Sequence, residues 1–290
     1  MLVVAQGKGH RHPGPHHDSG DEPIETNAMV SLQDLDDGVR VLDNIGESPG
    51  SNGANSNFVP FTSLTCDITY STNVSKRVLK LKQKLPENTP IAPLFSDVWT
   101  GSCVWECSLL ISRTIETDLV DDFADKSILV LGSGCGLEAL VCKTETQCKQ
   151  VVATDKGSIV ALNSSNAKLN LSEEELKTYK VMELDWGTNL EEFRKEQNLG
   201  KFDIILACDC INPIYGKESW GNLAKTISYF SKEKESLILL GYEQREDEGP
   251  IEQDALLNDF FAHCKHHSIH VEKLLKEADD CRYIFSLRKL

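Results

Sequence analysis

The sequence predicts an α/β fold with a mostly parallel sheet, and three observations carry this prediction. Short apolar runs of strand length alternate with segments of helical spacing from residue 127 onward. The first run, Ile128 to Leu131, breaks off into glycines at positions 132, 134 and 136, as a buried strand does when it enters a tight turn before a helix. The last two predicted strands, 269–273 and 282–287, are joined by a short turn, so one strand runs antiparallel.

Composition and charge narrow the class of protein. The chain has 290 residues, of which 40% are hydrophobic, so it can bury a sizeable core. Its net charge is −15 and its sequence pI is near 5.0, which disfavours a nucleic acid partner because an acidic surface repels phosphates. An acidic rim would suit a cationic substrate such as a lysine side chain, although a solvated acidic surface is the simpler explanation.

The cysteines and apolar runs indicate where the protein works. The ten cysteines show neither disulfide spacing nor a C-x-x-C pair. This predicts a reducing compartment, which is the cytoplasm and could also include the nucleus. The longest apolar runs are of strand length, so we expect no membrane partner. We also expect a monomer.

The N-terminal part of the chain is predicted to be a disordered tail over residues 1–60, followed by one domain over residues 61–290. The tail is rich in Gly, Pro, Ser and Asn and poor in apolar residues, so it cannot offset its ordering entropy. Residues 65–70 and 77–83 alternate apolar and polar side chains, which predicts a β-hairpin with its turn at 71–75. The histidines at 10–17 and at 263–270 lack fixed partners in register, so no metal site is predicted.

Polar groups follow the strands that come after the glycine turn. The carboxylates are Asp155 after strand 151–154, Asp185 after strand 179–184 and Asp209 after the nearly all-apolar strand 202–208. Because carboxyl ends of parallel strands meet at one edge, these groups should share a cleft with the glycine turn. The G-x-G-x-G spacing differs from the dinucleotide G-x-G-x-x-G and indicates S-adenosylmethionine as cofactor, whereas an ordinary βα turn with an acidic helix cap is the alternative.

Segments of helical spacing lie between and around these strands. They are 104–115, 137–142, 158–169, 217–230 and 252–264. Trp105 stands at the start of the first helix. It is either a core anchor or the floor of a pocket, and the sequence favours neither interpretation over the other.

The motifs in order resemble those of the seven-β-strand (class I) protein-lysine methyltransferases. They are Val104-Trp-Glu-Cys-Ser-Leu-Leu, Leu131-Gly-Ser-Gly-Cys-Gly-Leu, Thr154-Asp155, Leu184-Asp-Trp-Gly187, Ala207-Cys-Asp-Cys-Ile211 and Gly241-Tyr-Glu-Gln-Arg245. The similarity covers residues 65–290 and is greatest to the branch that modifies chaperones and translation elongation factors, which includes the valosin-containing-protein lysine methyltransferase. The family implies a Rossmann-like sheet of seven strands with one antiparallel strand, and a protein substrate that presents a lysine.

The resemblance also implies roles for individual residues. The cofactor residues would be Gly132, Ser133, Gly134 and Gly136 on the methionine side, Asp155 at the ribose, Asp185 and Trp186 at the adenine, and Trp105 and Cys208 beside them. Asp209 would lie next to the transferred methyl and orient the amine together with Asn212, with Tyr215 or Trp220 as the aromatic wall of the lysine channel.

Two departures from the family keep other functions open. The family usually has an acidic residue two positions before the first glycine, where this chain has Val130, and its Asp-x-x-Tyr signature ends here in Asn212. A catalytically weakened interaction module and a methyltransferase of a small molecule or a non-lysine residue are therefore the alternatives. A nicotinamide-dependent dehydrogenase is disfavoured by the glycine spacing.

Overall fold

The computed structural model describes residues 40–42, 67–83, 100–245, 249–278 and 281–290. Strands β2 (Ile68–Ser71) and β3 (Val78–Leu81) form the predicted antiparallel hairpin. Strand β1 (Arg40–Leu42) pairs parallel with β2. This strand lies within the range 1–60 that the sequence predicts to be a disordered tail, and the rest of that range lies outside the described residues. The division into a tail and one domain stays a prediction.

A second, seven-stranded sheet forms the centre of the molecule. Its strands are β4 (Ser127–Leu131), β5 (Gln150–Asp155), β6 (Tyr179–Glu183), β7 (Ile204–Cys208), β8 (Leu237–Glu243), β9 (Ile269–Ala278) and β10 (Arg282–Lys289). The order across the sheet is β6-β5-β4-β7-β8-β10-β9. Strand β10 runs opposite to the other six strands of this sheet, which confirms the predicted mostly parallel topology with one antiparallel strand.

Helices cover both faces of this sheet. Those in the described residues are α1 (Glu106–Thr114), α2 (Leu137–Glu145), α3 (Gly157–Asn170), α4 (Glu173–Leu176), α5 (Leu190–Glu196), α6 (Gly216–Phe230) and α7 (Ala255–His266). The short helices α4 and α5 were not predicted from the sequence. None of the helices described is long and apolar enough to cross a bilayer.

The sheet divides the hydrophobic core into two parts, and β4 contributes side chains to both. Ile128 and Val130 pack in one buried cluster with residues of α1 and α2. Leu129 and Leu131 pack in the other with residues of α6 and α7. Alternate side chains of a strand point to opposite faces, so a continuous apolar run is what a strand buried on both faces requires.

The hairpin is attached to the sheet through asparagine side chains of α3. The Lys80 N–H donates to Asn170 Oδ1 (2.7 Å), and Asn170 Nδ2 donates back to the Lys80 carbonyl (2.7 Å). Asn166 bonds the N–H and the carbonyl of Lys82 in the same way, at 2.9 and 3.1 Å. The two carboxamides therefore continue the hydrogen-bond ladder beyond the outer edge of β3.

Candidate active site

A cleft opens at the carboxyl ends of β4, β5 and β7, where the strand order reverses on either side of β4. Such a switch point is where ligands bind in open α/β sheets. The cleft encloses about 750 Å³ of empty space, including its open mouth. The predicted site residues that line it are Trp105, Gly132, Ser133, Gly134, Gly136, Asp155, Trp186, Cys208, Asp209 and Tyr215. The predicted residues Asp185, Asn212 and Trp220 do not line it.

The glycine turn has a shape that only glycine allows. Its three glycines all have positive φ, +62° at Gly132 and +91° at Gly136, a region that L side chains rarely adopt. A Cβ on Gly132 would lie 2.7 Å from the Cys210 sulfur, and one on Gly136 would lie 2.8 Å from Asn163 Oδ1. The turn is thus a smooth, close-packed wall along which a ligand can approach the main chain.

Asp155 is held against this turn at the end of β5. Its Oδ2 accepts from the Gly134 N–H at 2.8 Å, and its Oδ1 accepts from the Lys156 N–H at 2.7 Å. Burial raises the pKa of Asp155 above its ordinary value, while these two backbone donors oppose the rise. Two backbone donors therefore fix the orientation of this carboxyl.

Asp209 is held in a strained conformation at the end of β7. Its φ is +54°, and its N–H donates to the Gly241 carbonyl at 2.8 Å. Its Oδ2 forms an ion pair with Arg245, whose guanidinium lies 5.5 Å from the centre of the Trp105 ring. Within the described residues, the buried Oδ1 has no hydrogen-bond partner. The carboxylate thus has one oxygen fixed by Arg245 and one buried oxygen whose hydrogen-bonding capacity the described residues leave unused.

Arg245 was quoted in the sequence motif but given no role there. Burial lowers the pKa of its guanidinium, but the adjacent Asp209 and Glu243 carboxylates outweigh this and raise it above its ordinary value. Its Nη1 also donates to the Glu243 carbonyl at 3.3 Å. Arg245 is therefore a permanent cation that fixes the orientation of Asp209.

Two aromatic side chains of the cleft wall are joined through Thr100. The Tyr215 hydroxyl donates to Thr100 Oγ1 at 2.6 Å, and Trp105 Nε1 donates to the Thr100 carbonyl at 2.7 Å. Trp105 thus lies at the cleft, as the pocket interpretation required. Tyr215, which lies in the segment after Asp209, supplies a second aromatic surface to the cleft.

Three residues are not placed where the sequence put them. Asn212 caps a 3₁₀ turn, Pro213–Tyr215, by accepting from the Ile214 N–H at 3.2 Å. Asp185 faces outward, with a side chain that is 66% exposed, and pairs with Lys156 at 3.5 Å. Trp220 is buried in the core and donates from Nε1 to the Asn212 carbonyl at 3.2 Å. Their roles stay predictions that this geometry does not favour.

Sequence reasoning missed Glu138, the second residue of α2. It lines the cleft and is only 2% exposed. Burial raises the pKa of Glu138 to about 7, against hydrogen bonds from its own N–H and from Ser108. Val130, where the family has its acid, lies instead in the core. Among the residues described here, no cluster of three or more His, Cys, Asp or Glu could hold a metal.

Comparisons with known proteins identify the family to which this chain is similar. A family model for lysine methyltransferases matches residues 93–263. The chain is 28% identical over 153 residues to protein N-lysine methyltransferase METTL21A of Xenopus tropicalis, covering 53% of this chain and 65% of that protein. It is 31% identical over 140 residues to METTL21A of Mus musculus, covering 48% of this chain and 59% of that one. The chain therefore spans less than two thirds of the length of these relatives.

Two further similarities extend the comparison. A calmodulin-lysine N-methyltransferase of Arabidopsis thaliana is 32% identical over 135 residues, which cover 46% of this chain and 42% of that protein. A solved structure from Streptococcus mutans, described as a SAM-dependent methyltransferase, shares the fold with a TM-score of 0.51 at 10% identity, covering 76% of this chain and 55% of that one. Because the family model spans more than half of the sequence, the chain belongs to the lysine methyltransferase family, whose cofactor is S-adenosylmethionine.

Proposed function

We propose that this chain methylates the ε-amine of a lysine on a protein substrate, and that the substrate is a chaperone or a translation factor. The family model and the names of the relatives support the reaction. The order of the sequence motifs, which resembles the branch that modifies chaperones and elongation factors, supports the substrate class. The acidic chain, with its net charge of −15, suits a cationic target.

The cleft residues fit the cofactor. The glycine turn lines the cleft with main chain whose positive φ and close packing require glycine. Asp155 presents a fixed carboxyl for ribose hydroxyls, and Trp186 presents an aromatic side chain for the base. When bound, S-adenosylmethionine supplies an electrophilic methyl group on a sulfonium. The residues of this chain then have to bind, orient and desolvate the amine.

Asp209 orients the amine in this proposal. Asp209 lines the cleft, and in this proposal its buried Oδ1, which has no partner among the described residues, accepts an N–H of the bound amine while Arg245 keeps Oδ2 in place. Methyl transfer is an in-line displacement, so most of the rate enhancement comes from holding the reacting atoms in line. The single observation that carries the proposal is this buried oxygen without a partner at the end of β7.

The amine must be neutral before it can react. A free lysine has a pKa of about 10.4, and an apolar environment lowers that pKa because it disfavours the ammonium form. The aromatic surfaces of Trp105 and Tyr215 supply such an environment. The proton leaves to water, and no dedicated base is required.

The test compares the wild type with Asp209→Asn, using a labelled methyl donor, a cell extract and mass spectrometry of the labelled protein. Methylation should fall about 100-fold, since misplacement by about 1 Å can cost that much, while affinity for S-adenosylmethionine changes less than about threefold. Glu191→Gln, at an exposed acid in α5, is the matched control. Full activity of Asp209→Asn would contradict the mechanism, and label confined to small molecules or to residues other than lysine would contradict the substrate.

A further inference from the structure

Glu138 is a buried carboxyl for which the described residues supply no cationic partner. It lies in the first turn of α2, directly after the glycine turn, and is 2% exposed. Within the part of the chain that the structure describes, it forms no ion pair. Lys156, the one basic residue among those that line the cleft, pairs with Asp185 instead. A buried acid without a counter-ion is costly, and such groups cluster at functional sites.

The described residues around Glu138 supply no positive charge. Six titratable groups interact electrostatically with Glu138. They lie in the glycine turn, in α2, at the carboxyl ends of β5 and β7 and at the amino end of β6, and they are Cys135, Cys142, Asp155, Tyr179, Cys208 and Cys210. From α1, the Ser108 hydroxyl faces it. Each of these groups is an acid or is neutral, so none of them compensates the charge of an ionised Glu138, whereas a cationic ligand in the cleft would.

The other carboxyls of the cleft are already engaged. Asp155 accepts from two backbone N–H groups and is stabilised by the positive charge of Lys156, and Asp209 is paired with Arg245. Glu138 has only neutral donors, its own N–H and Ser108. Of the three, it is the carboxyl whose charge the described residues leave without a cation.

We propose that Glu138 binds the α-ammonium group of the methionine part of S-adenosylmethionine. The cofactor carries two cations, and the sulfonium has no N–H to donate, whereas the ammonium has three donors. The location beside the glycine turn fits that end of the cofactor. The inference rests on the family's cofactor and does not depend on which substrate is methylated.

The test is calorimetric binding to the full chain. The ligands are S-adenosylmethionine, S-adenosylhomocysteine and the desamino analogue of S-adenosylhomocysteine, which keeps the thioether and carboxylate but lacks the amine. In Glu138→Gln, affinity for the two amine-bearing ligands should fall about tenfold or more, as expected for a lost charged hydrogen bond. Affinity for the desamino analogue should change less than about twofold. Glu145→Gln is the matched control, because Glu145 is buried on the same helix but accepts from Ser75 of the hairpin.

Two outcomes would overturn the inference. The first is an equal loss for all three ligands, which would indicate a general distortion of the cleft; circular dichroism of the variant checks the fold separately. The second is unchanged affinity for S-adenosylmethionine in Glu138→Gln. If that variant binds the cofactor normally while the wild type methylates lysine, only the role of Glu138 is wrong. If Glu138 binds the amine but no lysine is methylated, only the proposed function is wrong.

Discussion

Replacing Glu138 by glutamine should stabilise the protein without cofactor in alkaline solution and change its stability little in acid. Burial raises the pKa of this carboxyl from 4.5 to about 7 in the folded state. Between these two values the folded chain holds a proton that the unfolded chain has released, so wild-type stability falls as the pH rises. Above pH 7 the loss is complete, because both states are then ionised and the folded state carries a buried charge.

The magnitude follows from the size of the shift. One pKa unit corresponds to about 1.4 kcal/mol, so the shift costs the wild type about 3 kcal/mol at pH 8.5 and less than about 1 kcal/mol at pH 5. Glutamine has nearly the same shape and no charge. Glu138→Gln should therefore exceed the wild type in free energy of unfolding by about 3 kcal/mol at pH 8.5, with most of this gain absent at pH 5.

Urea unfolding at the two pH values measures this directly, with the free energies extrapolated to water. The quantity to compare is the change in the mutant–wild-type difference between pH 5 and pH 8.5, from which any fixed packing effect of glutamine cancels. An equal difference at both pH values would refute the conclusion that Glu138 is a buried acid with a raised pKa. A gain in stability together with weaker cofactor binding would show that this residue is retained at the expense of stability.

Two other substitutions test the architecture of the cleft. Arg245→Met should destabilise the protein by about 3 kcal/mol in urea unfolding near pH 8, because it leaves Asp209 buried without its partner, and unaltered stability would show that the pair is not needed. Gly136→Ala should cost about 1–3 kcal/mol and weaken cofactor binding in calorimetry, because it places a Cβ 2.8 Å from Asn163 Oδ1 at a φ of +91°. Gly200→Ala, where a Cβ meets nothing within 4 Å, is the control, and equal effects of the two alanines would contradict the steric argument.

The strand ends were predictable because apolar periodicity places them with little ambiguity. Asp155 and Asp209 each follow a run that is buried along most of its length, so their position at one edge follows from a parallel sheet. The same logic predicted Asp185 at the cleft, but the structure does not place its side chain among the residues that line it. Asp185 stands between Leu184 and Trp186, which both line the cleft, and in extended chain the middle residue of such a triplet points the other way.

The structural roles of Asn212 and Glu138 could not be predicted from apolar periodicity, because they depend on hydrogen bonding and packing around each residue. The Asn212-Pro213 pair did carry a signal, since Asn before Pro is typical of a capped turn, and the structure uses its side chain for that cap. Glu138 resembles an ordinary acidic residue in the first turn of a helix. Only the packing of α1 against α2 makes it a buried group on the cleft wall.

The asparagines of α3 that complete the edge of β3 leave a chemical vulnerability. Each carboxamide uses its oxygen to accept and its nitrogen to donate, and Asn166 Nδ2 also donates to the Cys135 carbonyl in the glycine turn at 2.9 Å. Deamidation to aspartate would replace that nitrogen by a second acceptor facing two carbonyl oxygens. Deamidation of Asn166 alone would therefore weaken both the attachment of the hairpin and the glycine turn that lines the cleft.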